Sequence, residues 1–497
     1  MRIAWLVALV ACGPGGRSHG PDGGGADAAN VNQCKVGEDT NGVAVCTDKA
    51  PPGSFEPDVQ WSWTGASEPY SIVTPLVANL TDDNGDGAID LCDVPDVLVV
   101  AGLSSGSPSS TGHIYLLNGQ TGAQELMFAT PVDATVTPAI GDIDHDGVPD
   151  VVTVDAMGHV YAFRHDGSVL FGPGGMWGGD HYSGAIALAD LDHDGNVEIL
   201  GGNTVFDSTG QVKWTANAQQ ASWNATTAAD LDGDGTLEVV LGSAAYHHDG
   251  TPYWNTNLPG GYPQVANLDS DPQPEVLLTN VNGIAVIEHD GTIKFQDRRP
   301  TGVAVGFTAW LRPATIHDFD GDGAPEFAMS SASYYTVYRP DASIRWSANV
   351  SDQSGIAAGT AFDFLGDGTA EAMYADEHQL FVFGDTGQPI FMMPRTSGTL
   401  TEYPVVADID NDGSAEIVVV SNTYPGTTSS PTVQVIRDKQ DRWIQARRIW
   451  NEHTYHVTNV REDGTIPQFE QPSWSRLNTF RTNAQISGNG VCQPVIL

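Results

Sequence analysis

Lysine is almost missing from this chain. There are five in 497 residues, and lysine and arginine together number 21 against 62 aspartates and glutamates. The formal net charge of −41 argues against a nucleic-acid partner, which requires a basic surface. Long apolar runs are also missing. The best of them, Ile3 to Ala11, is too short to span a bilayer as a helix. No phosphate loop, dinucleotide-binding fingerprint or HExxH pair occurs, which leaves the common cofactor and zinc-hydrolase chemistries without a motif. Cysteine is scarce, with five in all, whereas glycine is abundant at 56, and 40% hydrophobic residues suffice for a core.

What the sequence has instead is one short phrase, repeated. It reads Asp142, Asp144, Asp146, Gly147 and Asp150, followed by the apolar run Val151–Val154. Carboxylates at loop positions 1, 3, 5 and 9 suit a hard cation such as calcium, which takes six to eight oxygens, and Gly147 permits the sharp turn. The phrase returns as Asp190, Asp192, Asp194, Glu198; as Asp230, Asp232, Asp234, Glu238; as Asp318, Asp320, Asp322, Glu326; and as Asp408, Asp410, Asp412, Glu416. Three further copies are degraded. Asn267, Asp269, Asp271 and Glu275 keep four oxygen ligands but have Pro272 in place of the glycine. Asp363, Asp367 and Glu371 lack a ligand at position 3, where Leu365 stands. The first copy fits as Asp82, Asn84, Asp86 and Asp90, with an ambiguous register because Asp93 and Asp96 follow. Together the loops predict about five to eight calcium ions and claim nearly half of the acids.

Two other readings of these loops exist. An EF-hand needs a glutamate at position 12 and flanking helices, but here the last acid sits at position 9 and a β-branched run follows. A solvated acidic turn without metal would set four carboxylates within nine residues against one another.

Between the loops lies a second phrase, two apolar strands around a tight turn. Asp166-Gly167, Asp249-Gly250, Asp290-Gly291, Thr121-Gly122, Thr209-Gly210 and Thr386-Gly387 are hairpin signals, with weaker copies at Asp341-Ala342 and near Lys439. A unit of strand, acidic loop, strand, strand, turn and strand describes a propeller blade. The expected fold is all-β: an eight-bladed β-propeller of four-stranded blades over residues 61–448, or a seven-bladed one if one irregular copy lies outside the ring. The loops and their spacing resemble the FG-GAP/VCBS repeat family, which includes the propeller of integrin α-subunits. That resemblance implies calcium held by the loops listed above and a role in binding a protein or glycan.

At the N-terminus, Leu9-Val10-Ala11-Cys12 resembles a bacterial lipobox. It implies a signal peptide over residues 1–11, a lipid on Cys12, a flexible Gly-rich tether over 12–33 and export to the outer membrane or cell surface. An ordinary signal peptide with an incidental cysteine is the other reading. Residues 34–60 form a short lead-in. The remaining cysteines pair as Cys34–Cys46 and, by elimination, Cys92–Cys492, which would tie the chain's end to its first repeat; free buried thiols are the alternative.

From Arg437 onward eight basic residues face six acids. The stretch Arg447 to Val460 resembles a tail of bacterial exported FG-GAP proteins. Residues 449–497 read as a strap packing on the acidic ring, and the sharper reading places His453, His456 and the arginines in a binding or catalytic site. Of the tryptophans Trp61, Trp63, Trp177, Trp214, Trp223, Trp254, Trp310 and Trp346, the sequence marks Trp214, Trp254 and Trp346 as core, at the place of Phe171 and Phe295, and Trp177 and Trp223 as ligand platforms. The favoured function is a calcium-binding, surface-displayed, non-enzymatic adhesion module, a monomer whose propeller face binds protein or glycan, with the membrane reached only through the lipid. The alternative is a calcium-dependent polysaccharide lyase of the rhamnogalacturonan type, in which the metal neutralises a uronate. A quinoprotein-like dehydrogenase is a third reading, and it would need a central cofactor pocket.

Overall fold

The computed structural model describes residues 44–45, 48–103, 110–178, 180–218, 225–423, 430–487 and 490–493. Cys12, Cys34, Cys46 and Trp223, with the lipid and tether assignments, lie outside the described residues. Cys92 is in a disulfide, and the side chains of the other cysteines also lie outside them.

Eight antiparallel sheets built on four strands follow one another along the chain, the first with an additional short strand, Val132–Asp133, so the ring has eight blades. The second blade is typical: Ala139–Gly141, Asp150–Val154, Val160–Phe163 and Val169–Phe171, paired in sequence order. Its two middle strands are buried on both faces, which is why they read as continuous apolar runs rather than as an alternation.

The eighth blade departs from expectation. The turn at Asp438 to Asp441 leads into the C-terminal tail and not into a fourth strand. The outer strand is supplied by Pro57–Trp63, which pairs antiparallel with Val433–Asp438, with Trp61 opposite Val435. The first and last parts of the chain therefore share one sheet and close the ring, leaving neither end of the repeat with a free blade edge.

Neighbouring blades are held by one repeated contact. At six of the eight steps an aromatic residue at the outer strand lies against the turn glycine of the next blade; the turns of the sixth and eighth blades, at Ala342 and at Asp438 to Asp441, have no glycine. Trp61 covers Gly122, Phe128 covers Gly167, Phe171 covers Gly210, Trp214 covers Gly250, Trp254 covers Gly291 and Trp346 covers Gly387. All six glycines have φ between +68° and +87°, so both the turn and the ring above it require glycine. The indole N–H groups of Trp61, Trp214 and Trp254 donate to Gly119, His248 and His289 carbonyl oxygens at 2.6–2.9 Å. The core reading of Trp214, Trp254 and Trp346 holds.

The tail fills the ring's axis. The innermost strand of a propeller blade has one edge that no strand of its own blade pairs, and buried backbone groups there need partners. Val77 of the first blade bridges to Trp450, Ile140 N–H of the second donates to Asn451 O at 2.8 Å, and Leu188 N–H of the third donates to Glu452 Oε2. Thr226 O, Asn267 N–H, Ile316, Thr360 Oγ1 and Val406 O meet Thr454, Asn478, Phe480, Arg481 and Asn483 in the remaining five. His453, His456, Arg447 and Arg481 are buried in this plug, so they act as packing and hydrogen-bonding groups rather than as a solvent-facing site. Trp177 is a second correction: it is 2% exposed, its ring lying over Gly184, Gly201 and Gly202, which the glycine-rich flanking sequence did not reveal. No helix of the described residues is long and apolar enough to cross a membrane.

The aromatic-on-glycine contact predicts unequal costs for two chemically identical substitutions. Gly233 and Gly250 sit at φ +76° and +83°, so a Cβ costs about 1–2 kcal/mol at either. At Gly233 it meets nothing within 4 Å, but at Gly250 it lies 2.7 Å from Trp214. Overpacking adds about 1–3 kcal/mol. Gly250→Ala should therefore lower the melting temperature clearly more than Gly233→Ala, as read by calorimetry on the two variants.

Candidate metal centres

Each acidic loop joins the innermost strand of a blade to the next strand. The position-9 acid is the first residue of that second strand: Asp150, Glu198, Glu238, Glu275, Glu326, Glu371 and Glu416. Position 2 is apolar and buried, as in Ile143, Leu191, Leu231, Phe319 and Ile409, and it anchors the loop in the core. Its backbone N–H donates to the position-9 carboxylate at 2.9–3.2 Å in all five. The glycine N–H at position 6 donates to the position-1 carboxylate at 2.7–3.1 Å. These bonds use one oxygen of each acid; the second oxygen of Asp230 and Asp318 also accepts loop N–H groups, and that of Glu198 and Glu238 meets Lys213 and His247.

The remaining oxygens test whether the residues fit a cation. Asp142 Oδ1, Asp190 Oδ1, Asp320 Oδ1, Asp408 Oδ1, Asp410 Oδ1 and Glu416 Oε1 are buried with no hydrogen-bond partner. The carboxylate oxygens of Asp142, Asp144 and Asp146, of Asp190, Asp192 and Asp194, and of Asp230, Asp232 and Asp234 each gather within 4.8 Å. Burial, aided by the neighbouring carboxylates, pushes Asp150, Glu238 and Glu326 up to about 7, Asp412 to about 7 and Asp408 to about 8. An all-oxygen, anionic, partly buried donor set fits calcium.

Side chains from the outer strand reach these loops from the side. The residue before the packing aromatic is Lys213 in the third blade, Lys294 in the fifth, Arg345 in the sixth and Gln60 in the eighth. Lys213 Nζ lies 2.8 Å from Glu198, Arg345 Nε lies 2.9 Å from Asp320, and Gln60 Nε2 donates to Asp410 at 2.7 Å. His247, in the fourth blade, approaches Glu238 at 3.0 Å.

The three irregular loops differ physically. In the fifth blade Lys294 Nζ contacts Asp269, Glu275 at 2.8 Å and Glu288 at 3.1 Å, while Asn267 turns its amide onto the Asp271 carbonyl. An ammonium group thus sits among the carboxylates where Pro272 has displaced the turn glycine. In the seventh blade Asp363 and Glu371 keep their backbone bonds, but Leu365 O accepts from Ala50 N–H, docking the segment that precedes the ring. In the first blade two frames interleave. The strand-initial acid is Asp96, whose carboxylate accepts from Leu80 N–H at 2.9 Å, which puts Asn79 at position 1. Asp83, Asp96 and Glu125 converge on Thr81 Oγ1 at 3.0–3.4 Å. The inserted residues make their own turn. Asp82 accepts from Gly85 and Gly87 N–H, Asn84 and Asp86 accept from the residues two further on, and Asp93 accepts from Asp83 and Asn84 N–H. Asp90 turns onto Cys92 N–H instead. Asn79 and Glu125 were the residues the motif missed, and Asp96 takes the place of the last acid because it starts the buried strand Asp96–Gly102. Asn79 is found only through the Leu80 N–H bond to Asp96, since the inserted turn breaks the nine-residue count.

The raised carboxyl groups set the sign of a pH dependence. A carboxyl that titrates near 7 when folded and near 4 when unfolded binds more protons in the folded state, so its stabilisation is full below about 4 and is lost as pH rises toward 7. With chelator present, the melting temperature should fall steadily from pH 5 to pH 8. With excess calcium, which competes with those protons, the fall should shrink or reverse. Parallel thermal melts across that range check both arms.

No protein-family model matches the chain, and no curated protein matches it. Several solved structures do. The V. cholerae biofilm matrix protein Bap1 superposes with a TM-score of 0.74 at 22% identity, covering 88% of this chain and all of that one. The exotype rhamnogalacturonan lyase YesX gives 0.55 at 16% identity over 90% of this chain and 84% of its own. The Bacillus licheniformis rhamnogalacturonan lyase PL11 gives 0.54 at 17%, over 88% and 83%. At these identities the likeness establishes the fold, an eight-bladed propeller shared by proteins of different activities.

Proposed function

We propose that this protein is an exported, calcium-binding propeller that serves as a non-enzymatic adhesion module for a protein or glycan ligand. The observation that carries this reading is the filled axis. The tail reaches the inner side of every blade, and Arg447, Arg481, His453 and His456 are buried in that packing. Recognition is thereby assigned to the rim and the two faces. The likeness to a biofilm matrix protein over that protein's whole chain supports the reading. Calcium in the loops of the second, third, fourth, sixth and eighth blades neutralises carboxylates that backbone bonds already hold in place, and the first blade adds its own acids. In the fifth blade Lys294 supplies the positive charge. The N-terminal lipid on Cys12 presents the ring at the cell envelope.

The rhamnogalacturonan lyase fold likeness supports the second reading, in which a calcium ion and a base act on a uronate. The basic residues at the loops count against it: Arg164, Lys213, Lys294 and Arg345 stand on four different blades, each against a carboxylate of its own blade.

Two measurements test the proposal. Chelation should lower the melting temperature substantially, because a cation bound only by the folded state stabilises it by mass action; an unchanged melt would remove the metal from the account. Incubating the calcium-loaded chain with pectic and other acidic polysaccharides should yield no ultraviolet absorbance from unsaturated sugar ends. A chelator-sensitive rise on any one polymer would establish the lyase and end the adhesion reading.

A further inference from the structure

The plug contains a positive charge with no negative partner. Arg481 is fully buried. Its Nε donates to His453 O at 3.1 Å and its Nη1 to Ala314 O at 2.9 Å, but Nη2 has no hydrogen-bond partner. Among the described residues no carboxylate forms an ion pair with it; Arg447 and Arg448, by contrast, end on carbonyls, a tyrosine hydroxyl and Glu462. Burial pulls the Arg481 guanidinium down to about 10. Glu452, the acid whose field reaches it, is bonded to Leu188 N–H and Thr454 Oγ1 and is pushed up to about 7 by its own burial.

The surroundings repeat the same deficit. Both ring nitrogens of His453 and the hydroxyl of Tyr262 are buried without partners. The His453 ring lies 6.1 Å from that of Tyr262 and 5.2 Å from that of Tyr403, and the charge of Arg481 acts on all three side chains. Tyr403 O–H is committed to His453 O. On the far side, Ala185, Ala225, Tyr262, Leu311 and Ile356 from five successive blades close the axis with apolar surface. The unused groups are thus the Arg481 Nη2 N–H bonds, a phenol hydroxyl and a neutral imidazole, which has one N–H to donate and one nitrogen that can only accept. Each of the three can donate a hydrogen bond to one small group. The guanidinium charge repels a cation, and a neutral water would leave that buried charge uncompensated, which is costly.

We infer that the axis of the propeller holds a small monovalent inorganic anion, a halide, between Arg481 Nη2, the Tyr262 hydroxyl and the His453 ring. The anion is sealed in by the tail and acts as the counter-ion that lets Arg481 join the tail to blades six and seven. This site is separate from the acidic loops and stands whether or not they bind calcium.

The test uses the full chain, crystallised with sodium bromide replacing chloride, with anomalous differences recorded at the bromine edge. A peak on the axis within about 3.5 Å of Arg481 Nη2 is expected. No axial peak, or bromide only at the surface as an adventitious ion, overturns the inference. A second readout is the melt at fixed calcium and ionic strength. The native chain should gain about 2 °C in chloride over gluconate. Tyr262→Phe, which removes one donor and keeps the ring, should retain the fold and lose at least half of that gain. An equal gain in both proteins, or no gain in either, also overturns it.

Discussion

Ring closure is the constraint on which the rest of this structure depends. A four-stranded blade buries little by itself, and its stability comes from the aromatic side chain that its outer strand lays over the turn glycine of the next blade. That contact is made at six of the eight steps around the circle, including the last. The seam is handled by Pro57–Trp63, which puts Trp61 over Gly122 and links the eighth blade to the first with the same chemistry as the other five glycine steps. Once the ring is closed, the inner strands point their free edges at a narrow axis. The tail is the chain's answer to those edges.

The loops and the plug are two opposite electrostatic solutions in one molecule. The loops crowd carboxylates on the ends of strands and hold them with backbone N–H groups, so the missing element is positive. The plug buries arginine and tyrosine and holds them with carbonyl oxygens, so the missing element is negative. A composition with few lysines suits the first arrangement, because mobile ammonium groups would compete for the loops. Where a lysine does enter, at Lys294, it meets three carboxylates at once.

The irregular copies show how a repeat is spent on other tasks. Leu365 gives up a ligand and uses its carbonyl to seat the segment before the ring. The first loop inserts a second turn within the first, so its acids fall into two frames, one from Asn79 to Asp96 and the other nested inside it from Asp82. A motif search centred on Asp82 finds one frame only. The other is visible when position 9 is defined by the strand that it starts.

Local chemistry written into the sequence determined the blades. Acids at alternate positions with an apolar anchor, Asp-Gly turns and doubly buried strands each depend on neighbours within a few residues, so blade type, blade number, the places of the acidic loops and the core roles of Trp214, Trp254 and Trp346 were legible. Tertiary structure alone decided the matters that join residues far apart in the chain. These are the pairing of Pro57–Trp63 with Val433–Asp438, the burial of Trp177 under a glycine-rich surface, the register of the first loop, and the docking of Trp450 to Thr454 and Asn478 to Asn483 against the inner side of the blades. The physical reason is that a strand edge, a ring of glycine backbone and an unpaired arginine carry no partner in their own sequence. Their partners exist only after the circle has closed.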